Sequence, residues 1–146
     1  MEYRALVVAT LLLAGCAGAP RLIAPKKDVM RRADFTAIIA AHPLPAGQNI
    51  SAVVLGRTAT LSYHLVQIRD REQPHIHADH DLVVTLLRGT GTLYVLGTPQ
   101  PMRAGDVAVV PRGTPHYFVN TAFTPSVAFV TFAPPYNGND QVPAPR

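Results

Sequence analysis

From Ile50 to Pro134 the chain is a succession of short apolar, β-branched runs, each closed by glycine or proline. Proline inside a helix removes a backbone hydrogen bond and collides with the preceding turn, and glycine weakens a helix or strand from within. With 14 prolines and 10 glycines in 146 residues, long helices are excluded. Short strands joined by tight turns remain, the pattern of a sandwich or barrel. The expected strands are Ile50–Leu55, Thr58–Ile68, Leu82–Leu87, Thr92–Leu96, Val107–Val110, His116–Asn120 and Ser126–Phe132, with local pairing over Met102–Ala104. Gly97–Pro101 reads as a loop between two of them. Tyr63, Tyr94, Phe118, Phe129 and Phe132 are the expected aromatic core.

Before the strands, apolar residues at Val29, Met30, Ala33, Ala37, Ile38 and Ala41 recur at helical spacing. One short helix is therefore expected, ended by His42 because a residue before proline is pushed out of the helical region. Residues 17–28 read as a flexible tether and 135–146 as a loose tail after Pro134-Pro135. At the start, a short basic segment with Arg4 precedes an apolar stretch from Ala5 to Ala14, the length of a secretory signal and too short to span a bilayer. It runs into Leu13-Ala14-Gly15-Cys16, which resembles a bacterial lipobox. That resemblance implies cleavage before Cys16 and its acylation with lipid. Cys16 is the only cysteine, so the domain holds no disulfide. The expected organisation is a signal over 1–15, lipidated Cys16 and a basic tether over 16–32, a helix and connection over 33–49, a barrel over 50–134, and the tail.

The charge pattern fits a membrane anchor. Arg21, Lys26, Lys27, Arg31 and Arg32 face one acid, Asp28, whereas from Ala33 onward seven arginines meet seven acids. The net charge of +4 thus lies in the tether, where anionic headgroups attract each basic residue by about 1 kcal/mol. The formally neutral domain shows no nucleic-acid-binding motif, which excludes that class. The expected location is the cell envelope, on the periplasmic side or cell surface.

Two histidine segments lie about 40 residues apart. Pro74-His75-Ile76-His77 places two imidazoles on one face of a strand, because strand side chains alternate. A third, His116, follows the turn Pro111-Arg112-Gly113-Thr114-Pro115. Three convergent imidazoles suit a divalent transition metal: iron, zinc, nickel, copper or manganese. His64 and His42 read as structural or exposed.

From Gly105 to Asn120 the order is glycine, five residues, proline, one residue, glycine, two residues, histidine, three residues, asparagine. This segment resembles the second signature of the cupin superfamily at every fixed position, and His75 to Gly91 is similar to the first. The resemblance covers roughly Ile50 to Pro134. It implies an all-β fold, the cupin double-stranded β-helix or jelly-roll barrel, here with the short N-terminal helix and often dimeric. In the family the three histidine positions and a glutamate hold one metal. Counting back from Gly89, the glutamate position falls on Leu82; counting forward from His77, it falls on Asp81. The candidate ligands are therefore His75, His77 and His116, with His80 or Asp81 as a fourth.

Two function classes follow. One is a lipid-anchored envelope module that binds a metal and a small molecule as a sensor or accessory protein. The other is a metal-dependent enzyme of dioxygenase or isomerase type. The missing glutamate and the lack of another acid–base candidate inside the barrel favour the first.

Overall fold

The computed structural model describes residues 20–26 and 29–144. The signal-like segment and Cys16 lie outside the described residues. Two five-stranded antiparallel sheets form the barrel. The first has the order β12-β5-β10-β7-β8: β12 is Gln141–Pro143, β5 His75–His77, β10 His116–Asn120, β7 Thr90–Val95 and β8 Thr98–Arg103. The second has the order β3-β4-β11-β6-β9: β3 is Ile50–Arg57, β4 Ser62–Ile68, β11 Ser126–Ala133, β6 Asp81–Arg88 and β9 Val107–Val110.

Strand β11 explains how the layers stack. It lies at the centre of its sheet, between β4 and β6. Its even positions Ala128, Val130 and Phe132 enter the barrel core with Leu82, Leu93 and Phe118. Its odd positions Val127 and Phe129 enter a second apolar cluster with Leu65 and Phe35 on the opposite face. A strand buried on both faces must be apolar nearly throughout, as this one is.

The second cluster holds the N-terminal elements in place. Arg21–Lys26 (β1) pairs with Val29–Asp34 (β2) in a separate antiparallel hairpin. The helix α1 covers only Phe35–Ala41. The expected helix from Val29 is thus a strand in its first half, and part of the expected tether is the other strand. Asp34 marks the boundary: its carboxylate accepts the Thr36 N–H at 2.7 Å. An acidic side chain in that position starts a helix. Seven residues are too few for a self-supporting helix, and docking of Phe35 against Leu65 and Val127, with Leu22, Ile38 and Ile39 around it, supplies the stability.

Two further expectations change at the barrel's rims. Strand β8 begins at Thr98, so the expected loop Gly97–Pro101 pairs almost entirely with β7. Pro99 and Pro101 are tolerated because β8 is an edge strand, where a missing donor can face solvent. Nor is the tail loose: β12 pairs antiparallel with β5 through Gln141↔His77 and Pro143↔His75. Tyr94 is half-buried on the outer face, stacked on Tyr117 at 4.5 Å, rather than in the core.

Candidate metal centre

Strand β5 presents His75 and His77 inward with Ile76 between them, as the alternation predicts. His75 is the partner of His116 on β10. The turn before β10 sets that pairing. Gly113 adopts φ of +73°, a conformation a side chain would strain, and donates its N–H to the His77 carbonyl at 2.7 Å. The proline–glycine turn is thereby tied to the first histidine segment. One ligand atom from each of His75, His77 and His116 lies within 4.8 Å of the others, and all three residues are buried.

Each ring is anchored through Nδ1. His75 Nδ1–H donates to the Gln73 carbonyl at 2.8 Å and His116 Nδ1–H to the Thr114 carbonyl at 2.9 Å. His77 Nδ1–H donates to the Asp140 carboxylate at 3.1 Å. These acceptors fix the proton on Nδ1 and leave the Nε2 lone pair of each ring for a ligand. Burial lowers the pKa of His116 to about 4, against an opposing pull from the Thr114 carbonyl. Burial also lowers that of His77, with Asp140 opposing. Neutral imidazole is the form that binds metal. The donor set therefore fits a divalent transition metal by chemistry and by orientation.

His80 and Asp81 lie outside this cluster. His80 is buried, as its shared parity with Leu82 suggests, but its Nδ1 faces Asp140 and its Nε2 lies 3.4 Å from the Pro135 carbonyl. Asp81, on the opposite parity, turns outward and binds Arg112 through both oxygens, at 2.9 and 3.2 Å to Oδ1 and 2.7 Å to Oδ2. These bonds hold its pKa down to about 2. Leu82, where counting back from Gly89 puts the glutamate position, is buried and faces the barrel cavity.

Two carboxyl groups escaped the sequence reading. Asp140, 3% exposed, reaches back from the tail to bond His77, His80 and the Asp79 N–H. Burial pushes its carboxyl pKa up, but the bonds from His80, His77 and Asp79 outweigh this and lower it. Its neighbour Gln141 opposes His77 in the β12–β5 ladder, so the tail's pairing delivers it. Glu72 comes from the polar stretch before the histidine pair. It exchanges two bonds with Phe118: its N–H donates to the Phe118 carbonyl at 2.9 Å, and its Oε2 accepts the Phe118 N–H at 2.8 Å. Burial raises its carboxyl pKa, while His75 and the Phe118 N–H pull the other way. No local signal marked either residue, since each is placed by contacts 46 or more residues away in sequence.

Glu72 and the three histidines open on one cavity of about 80 Å³ inside the barrel. Its walls are otherwise aliphatic and aromatic except for Ser126, and among the described residues no arginine or lysine lines it. A site of imidazoles and one carboxyl in an apolar chamber can hold a metal and a small ligand beside a proton-exchanging group.

The comparisons agree with this architecture. Residues 63–132 match the family model described as Cupin domain. A protein of Aquifex aeolicus (strain VF5) with no described function is 40% identical over 95 residues, covering 65% of this chain and 78% of that protein. The chain belongs to the cupin superfamily. Among solved structures, a double-stranded β-helix protein from Klebsiella pneumoniae superposes with a TM-score of 0.62 at 19% identity, covering 74% of this chain and 95% of that one. The nucleoside dehydratase Pac13 of Streptomyces superposes with a TM-score of 0.55 at 23% identity, covering 64% and 77%. Both share the fold.

Proposed function

We propose that this cupin holds one divalent transition metal on His75, His77 and His116 and binds a small molecule beside it, as a lipid-anchored envelope protein. The observation that carries the reading is the anchoring of all three Nδ1 atoms. It leaves three Nε2 lone pairs for a ligand, on rings that line one cavity and whose ligand atoms lie within 4.8 Å of one another. Three protein ligands leave coordination positions for a ligand. A bound metal would supply Lewis-acid polarisation of an oxygen or nitrogen ligand there. The chain's own residues do the rest: the apolar walls exclude water, Asp140 and the two carbonyls hold the rings, and Glu72 faces the ligand space. At about 80 Å³ the cavity is well below the roughly 300–1,000 Å³ of pockets for drug-sized ligands. A nucleoside, the substrate type of the Streptomyces neighbour, is too large for it.

Turnover is the second reading, and Glu72 favours it. It is a carboxyl facing the same cavity as the metal site, with its pKa raised by burial. That is the setting of a general acid or base. The cell-envelope assignment rests on Leu13-Ala14-Gly15-Cys16 and the basic segment after it.

Elemental analysis of the full-length protein, purified without a histidine tag, tests the metal reading. We expect close to one transition metal per chain, lost in His77→Ala and His116→Ala and kept in His80→Ala. Equal metal content in wild type and His116→Ala would overturn it.

A further inference from the structure

Glu72 divides its two oxygens between two tasks. Oε2 is held by the Phe118 N–H at 2.8 Å. Oε1 has no hydrogen-bond partner among the described residues, yet it is not a sealed, unsatisfied atom. Glu72 lines the cavity, and of its two oxygens Oε1 is the one that the Phe118 N–H leaves free. Its place relative to the histidines follows from β10. His116 and Phe118 are successive inward positions on that strand, roughly 7 Å apart at strand rise. Glu72 is clamped to Phe118 and the histidine cluster lies at His116. A ligand spanning the two needs only a few bonds, which is also what a chamber of about 80 Å³ admits.

The charge of the chamber narrows the class further. Among the described residues, the polar side chains lining it are Glu72, His75, His77, His116 and Ser126, with no arginine or lysine. No side-chain cation is present to offset an acidic group placed at the Glu72 end. Burying an uncompensated like charge beside a carboxylate is strongly unfavourable.

We propose, resting on the metal reading above, that the cavity selects small molecules that present an uncharged hydrogen-bond donor, a hydroxyl, to the Glu72 end. The donor bonds Glu72 Oε1, and an oxygen or nitrogen lone pair two or three bonds away faces the histidines. Hydroxycarbonyl compounds of a few heavy atoms are the matching chemistry; a compound that brings an acidic group to the Glu72 end is not.

The test uses full-length protein loaded with cobalt(II) and followed by visible absorption, which reports ligand entry without turnover. Hydroxyacetone is compared with 2-butanone, which has the same shape but a methyl in place of the hydroxyl. Wild type should bind hydroxyacetone about tenfold more tightly, the range for a hydrogen bond to a carboxylate. In Glu72→Gln the Phe118 N–H retains the amide oxygen, and the amide NH2 replaces the open acceptor. The preference should then fall to threefold or less, with cobalt stoichiometry unchanged. A preference equal in the two proteins overturns the assignment, because the hydroxyl then acts through the metal alone. Should Glu72→Gln not fold, wild type decides: equal affinity for the two ketones overturns the proposal. Cobalt that does not bind the wild type overturns the metal reading and this one with it; cobalt that binds without the preference overturns this one alone.

Discussion

At the scale of single residues, the three rings differ in what holds them. His75 and His116 donate to backbone carbonyls, which no substitution removes, whereas His77 donates to the side chain of Asp140. Asp140→Asn keeps the shape but removes the charge that His77 and His80 share. Losing such an outer partner typically weakens metal affinity 10–100-fold. Competition with a chelator of known affinity should show that loss with little change in circular dichroism; unchanged affinity would show that Asp140 does not position the ring. A pH effect belongs to His116. Its pKa in the folded protein is about 4, below the 6.5 of an ordinary histidine. The unfolded chain therefore binds more protons between these values, and the stability His116 contributes is full above pH 6.5 and lost as pH falls to 4. The loss is about 3 kcal/mol at most. Urea unfolding of metal-free protein at pH 7 and pH 4 should show it, and His116→Gln should reduce the difference. The imidazole set was legible because strand alternation and the proline–glycine turn act within a few residues. Glu72 and Asp140 were not, since Phe118 places one and the ladder of β12 on β5 places the other. His80 had the expected parity, and the carboxylate of Asp140 accounts for where its ring is turned.

At the scale of elements, turns carry the clearest strain. β7 and β8 are joined by Leu96 and Gly97, with φ of +52° and +76°. Positive φ at both residues is the signature of the tight hairpin turn that prefers Asn-Gly. A leucine held left-handed costs about 1–2 kcal/mol, and Leu96 is 71% exposed, so it gains little from burial in return. Leu96→Asn should stabilise the protein by about 1 kcal/mol, seen as a higher urea midpoint with an unchanged slope. A lower midpoint would mean that the leucine side chain makes contacts worth more than the strain. Where local pattern and tertiary setting agreed, elements were readable: β9, β10 and β11 fall within a residue of expectation. Where tertiary pairing decides, they were not. Apolar spacing over Val29–Ala33 fits a helix or a strand, and pairing with Arg21–Lys26 selects the strand. Two prolines in Thr98–Arg103 argued for a loop, and only the edge position of β8 permits them to pair.

At the scale of the whole molecule, charge is divided unevenly. The segment Arg21–Arg32 carries the excess, and the chain from Ala33 onward balances seven cations against seven acids. The two parts are physically joined, since Leu22 packs into the cluster around Phe35 on the face of the second sheet away from the barrel core. Two forces can then hold the protein to a membrane, and salt separates them. Four net charges at about 1 kcal/mol each are screened when the Debye length falls to about 3 Å at 1 M salt. The acyl chains proposed for Cys16 would not be. Wild-type protein should therefore stay with the membrane pellet in 1 M sodium chloride, and Cys16→Ser should leave it. At low salt, Cys16→Ser should still sediment with vesicles containing anionic lipid and not with neutral ones. Cys16→Ser that remains in the pellet at 1 M salt would show that neither lipid on this cysteine nor the basic segment is what anchors the chain.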